Sequence, residues 1–107
     1  MNWTKDELKA YILLYAAHAD YKESNLERNV IANRVDRHTF QRIHDEFYAD
    51  NDYQSLQKII DSVKRHEYSQ DNLDMLFTEM KIMFFADGEF DQQEQTLFLY
   101  LKKILKN

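Results

Sequence analysis

Leu8, Tyr11, Ile12, Tyr15, Ala16 and Ala19 recur at intervals of three and four, the spacing that keeps side chains on one face of a helix. Just before them, Thr4 and Glu7 stand at the spacing of a capping box, and Trp3 and Leu8 at that of a hydrophobic staple. A second helix is expected to open at Ser24 with Glu27, another capping box, and to carry Val30, Ile31 and Val35 inward. A third runs from about Arg37 to Tyr48 on the stripe Phe40, Ile43 and Phe47. The polar break Ala49-Asp50-Asn51-Asp52 offers several caps. After it, Leu56, Ile59, Ile60 and Val63 mark a fourth helix from about Tyr53 to His66. Beyond the break Ser69-Gln70-Asp71-Asn72, Leu73, Leu76, Phe77, Met80, Met83 and Phe84 mark a fifth helix, and Leu97, Phe98, Leu101, Ile104 and Leu105 a sixth. No useful length alternates with a period of two, so no sheet is expected. The pattern predicts an all-α fold: one compact domain over residues 1–107, with five to seven short helices and no linker.

The chain has one glycine and no proline, so most of it can be helical. The glycine, Gly88, falls in Phe85-Ala86-Asp87-Gly88-Glu89-Phe90-Asp91-Gln92-Gln93-Glu94, where the backbone is expected to leave the helix. Part of this segment occurs twice. Ala19-Asp20 is followed seven residues later by Glu27, as Ala86-Asp87 is by Glu94, at a constant offset of 67. Ser24 and Asp91 occupy matching cap positions, three residues before each glutamate. The fold therefore carries an internal pseudo-repeat.

Extended along the apolar stripes, helical spacing puts these acids inward. Asp87 follows Phe84 by three and Met83 by four, while Glu94 precedes Leu97 by three and Phe98 by four. Asp20 and Glu27 relate in the same way to Ala16, Ala17, Val30 and Ile31. Charges on an apolar stripe are costly unless paired, hydrogen-bonded or bound to metal. The second copy also shares its later two thirds with a calcium-binding EF-hand loop, with acid, Gly, hydrophobe, acid and a final Glu in order. Met83 and Phe85 stand where the first oxygen ligands belong, so it is not an EF-hand.

Charge and composition narrow the field. A net charge of −5 with pI near 5.3 disfavours nucleic acid. No apolar run approaches the roughly 20 residues that cross a bilayer. The absence of cysteine excludes disulfides, thiolate catalysis and Cys-ligated metal. The first residues show no basic region leading into an apolar one, so a cytoplasmic location is the expectation. His18, His38, His44 and His66 read as surface or interfacial residues, and no nucleophile stands at motif spacing to them. No small-molecule substrate pocket or enzymatic activity is expected.

At its two acidic turns the chain resembles the tellurite-resistance TerB-like family, small all-helical domains with turns of the type Ala-Asp-Gly-x-x-x-x-x-Glu repeated in two halves. That resemblance implies a divalent cation, calcium, magnesium or manganese, held by Asp20, Glu27, Asp87 and Glu94, and less firmly by Asp91. It also implies a stress or defence setting and a protein partner. Tyr21 replaces the glycine expected in the first turn, and the chain is shorter than the commoner members. Two rival readings remain. In a metal-free adaptor or immunity-type protein, the same carboxylates cap helices and pair with Arg28 or Lys81; in a metal-dependent hydrolase, they activate water.

Overall fold

The computed structural model describes residues 3–18, 24–87 and 90–106, with the backbone alone for Asp87. Among them are six α-helices: α1 (Lys5–Ala17), α2 (Asn25–Ala32), α3 (Arg37–Ala49), α4 (Asp52–Arg65), α5 (Gln70–Phe84) and α6 (Gln92–Leu105). A single 3₁₀ turn, Phe85–Asp87, follows α5, and no strand occurs among the described residues. The radius of gyration, 12.6 Å, matches the roughly 13 Å expected of a compact domain of about 100 residues.

Caps set the helix starts. Thr4, Ser24, Asp36, Asn51, Ser69 and Asp91 are the N-caps, and each accepts a hydrogen bond from the backbone amide three residues on. All but Asp36 close a full capping box, so two orphan amides are satisfied at each of those five starts. In the polar break before α4, Asn51 is the N-cap, and Asp50 instead closes α3.

The core is built around α1. Leu8, Tyr11, Ile12 and Ala16 are fully buried, as the stripe predicts, but so are Ala10, Leu13 and Leu14 on its other sides. The helix packs against α2, α3, α4, α5 and α6, which explains why its sequence is apolar almost all round. Leu73, Leu76, Phe77, Met80, Met83 and Phe84 of α5 are all buried in the same core. Elsewhere the stripes are shallower. Val30, Phe40, Leu56, Ile60, Leu97 and Ile104 are only partly buried against the core. Val35 lies in the bend after α2 rather than on that helix. On α4 the deeper positions include Ser55 and Ser62, small residues on a buried face.

Two helix ends change the placement of the acidic turns. Helix α1 stops at Ala17 with His18 as its C-cap, and α5 stops at Phe84 before the 3₁₀ turn. Asp87 thus lies beyond α5 in the 3₁₀ turn, and α-helical spacing does not extend to it as the sequence pattern assumed. The stretch 19–23, which contains Asp20 and Tyr21, lies outside the described residues, as do Gly88, Glu89 and the side chain of Asp87.

Candidate carboxylate centre

Glu27 and Glu94 each occupy the third position of a helix, where a glutamate normally reaches back to its own cap and stays wet. Both complete that local task. Glu27 Oε1 accepts from the Ser24 amide at 2.9 Å, and the Glu27 amide donates to Ser24 Oγ at 3.0 Å. Glu94 Oε1 accepts from the Asp91 amide at 3.0 Å, and its amide donates to Asp91 Oδ1 at 2.8 Å. Neither stays wet, since each residue is only 3% exposed.

The two carboxyls also meet. The Glu94 carboxyl lies close enough to that of Glu27 to feel both its oxygens and its charge, one carboxyl from each copy of the repeat. Burial, then the nearby Glu27 carboxyl and the charges of Asp91 and Glu27, push the Glu94 carboxyl up to about 8, against the pull of the hydrogen bond from the Asp91 amide. Like charges this close cannot both ionise without a counter-charge, so near neutral pH the centre binds a proton or demands a cation.

Glu7 shows that the cap alone is not the cause. It fills the same position in the capping box of α1 and is also buried, yet its carboxyl is held below the ordinary carboxylate value. The amide of Thr4 is the largest cause; burial opposes it, and the Arg42 guanidinium, which hydrogen-bonds Glu7 Oε2, adds to it. Glu7 faces a cation from α3, whereas Glu94 faces a carboxylate from α2.

Of the five residues the sequence singled out, Glu27, Asp91 and Glu94 come together here. Asp91 acts as the N-cap of α6 and is half-buried. Asp20 lies outside the described residues, as does the side chain of Asp87, though Asp87 ends the 3₁₀ turn that packs against α2. Lys81 sits over the Phe98 ring at 5.2 Å. Among the described residues no group of three or more His, Cys, Asp or Glu side chains has the arrangement of a metal site.

A second polar network joins Trp3 and Tyr11 to partners that the stripes did not reveal. The Tyr11 hydroxyl donates to Asp50 Oδ2 at 2.6 Å and lies 2.9 Å from Ser55 Oγ. Lys58 donates to Asp50 at 2.6 Å and to Glu46 at 3.0 Å, and the Trp3 indole donates to Glu46 at 3.2 Å. The partners are eight to 44 residues apart in sequence, so no local spacing announces them. Only the break at 49–52 and the aromatic residues at a helix face hinted at them. His66 Nε2 lies 2.6 Å from the Trp3 carbonyl, tying the end of α4 to the segment before α1.

The TerB-like resemblance stands on the turn residues alone: no family model, no curated protein and no solved structure matches this chain.

Proposed function

We propose that the chain is a non-enzymatic binding or sensing module in which a hard divalent cation is held at the Glu27–Glu94 centre, as in the TerB-like pattern. The meeting of two buried carboxyls, one from each half of the repeat, carries this reading. The donor chemistry supports such an ion, since Glu27, Glu94 and Asp91 offer only carboxylate oxygens, which suit calcium, magnesium or manganese. These described side chains alone do not have the arrangement of a metal site. Asp20 and Asp87 would complete the set in the proposal. When bound, the ion supplies charge neutralisation and a cross-link. The residues of the chain do the rest: the capping boxes fix Glu27 to the start of α2 and Glu94 to the start of α6. Neutralising the pair ties the two helix–turn–helix units together and fixes a surface that another protein reads. A stress or defence role, including tellurite resistance, follows from the resemblance only.

A second reading has its own support. Both glutamates complete capping boxes, so a proton shared between them is enough for a metal-free adaptor. Calorimetric titration of chelator-treated protein with calcium, magnesium and manganese in turn separates the two. The proposal expects saturable heat with at least one ion, abolished by Glu94→Gln. No saturable heat with any of the three would leave the adaptor reading in place.

A further inference from the structure

A separate cleft of about 260 Å³ opens where the C-terminal ends of α1 and α3 meet the start of α4. Its volume is below the roughly 300 Å³ at which pockets begin to enclose a whole small molecule. It suits the head of one long side chain whose backbone stays outside.

The walls are rings. Tyr15, His18, Phe47 and Tyr48 line the cleft. The His18 ring lies 5.0 Å from Phe47 and 5.2 Å from Tyr48, and Phe47 lies 5.8 Å from Tyr48. Tyr48 is fixed by its hydroxyl, 3.2 Å from His18 Nε2, and by the His44 ring at 4.5 Å. It nevertheless remains 53% exposed, an aromatic face at the mouth of the cleft.

The charge is negative. Asp50 and Asp52 line the same cleft, and no lysine or arginine does so among the described residues. Asp50 already receives Lys58 and Tyr11. Asp52, in the first turn of α4, is exposed and lies beside the Tyr15 hydroxyl, whose ionisation its charge opposes. Ring faces attract cations through their quadrupole, and a carboxylate beside them adds a directional acceptor. The chain's net charge of −5 favours approach by a basic partner.

From this juxtaposition of four rings and an exposed carboxylate, we propose that the cleft receives the guanidinium of an arginine presented by a partner protein. Arginine fits better than lysine because its planar head stacks on a ring while its N–H edge meets a carboxylate. Among the described residues the cleft shares no lining residue with the Glu27–Glu94 centre.

Titrating isotope-labelled protein with N-acetyl-arginine methylamide, followed by NMR, tests the proposal. Saturable shifts are expected at Tyr15, His18, Phe47, Tyr48 and Asp52. The lysine counterpart should bind several-fold more weakly, and the uncharged citrulline counterpart should give no shifts. Asp52→Asn and Tyr48→Ala should each weaken binding about fivefold with the fold unchanged, since both residues are exposed. No saturable shift with the arginine probe would overturn the proposal, as would equal binding of citrulline. Lysine binding as tightly as arginine would overturn the choice of arginine.

Discussion

At the scale of single residues, environment rather than type decides what a carboxyl does. Glu7, Glu27 and Glu94 hold the same position in three capping boxes, yet Glu7 is matched by Arg42 whereas Glu94 meets Glu27. Glu94→Gln keeps an oxygen to accept from the Asp91 amide and removes a charge that is costly when buried. It is expected to raise the melting temperature in chelator at alkaline pH; an unchanged or lower value there would show that the pair is not under charge stress. A second residue carries strain of another kind. Glu67, just past α4, has φ of 52°, in the left-handed region where a side chain clashes with the backbone, while its amide donates to the Lys64 carbonyl. Glu67→Gly should stabilise the protein by about 1 kcal/mol, as read by denaturant unfolding. The sequence could point to Glu27 and Glu94 because each sits on an apolar stripe inside a helix. It could not place Asp87, because α-helical periodicity has no meaning once α5 has ended. Nor could it find Arg42 opposite Glu7, since a contact across 35 residues leaves no local mark.

At the scale of elements, the helices were legible because caps and stripes agree. Ser24, Asn51, Ser69 and Asp91 begin α2, α4, α5 and α6 at breaks visible in the sequence. What the stripes concealed is that α1 is the hub. Periodicity shows which positions of a helix are apolar, whereas the number of neighbours is a property of the assembled fold. Leu14 is fully buried although it lies off the predicted stripe, and Leu14→Ala should cost about 2–5 kcal/mol. Leu26→Ala on α2, where the leucine is half exposed, should change stability little. Equal losses for the two in denaturant unfolding would contradict the central position of α1. The buried serines of α4 were missed for a related reason, as a hydroxyl reads as polar until its partner is known. Ser55 sits beside the Tyr11 hydroxyl, and Tyr11→Phe should cost about 1–3 kcal/mol by leaving Asp50 and Ser55 short of a partner.

At the scale of the whole molecule, the carboxylate centre links fold stability to protons and, in the proposed function, to cations. With Glu94 raised from the ordinary 4.5 to about 8, the folded state binds more protons than the unfolded state between these values. Stability in chelator should therefore fall as pH rises from about 4.5 to about 8. Glu7 has the opposite sign: its lowered value contributes stability above the ordinary carboxylate range, lost as pH falls through the folded value. The most stable pH without metal should thus lie on the acid side of neutral. A bound cation replaces the proton, so it should flatten the alkaline decline and stabilise by mass action, about 2.7 kcal/mol at a hundredfold excess over its dissociation constant. The most direct measurement compares melting curves of the parent and Glu94→Gln near pH 8, in chelator and with excess calcium, magnesium or manganese. A cation-holding centre predicts a crossover, with the variant more stable in chelator and the parent more stable with at least one ion. Superimposable parent curves in chelator and in all three ions would contradict it.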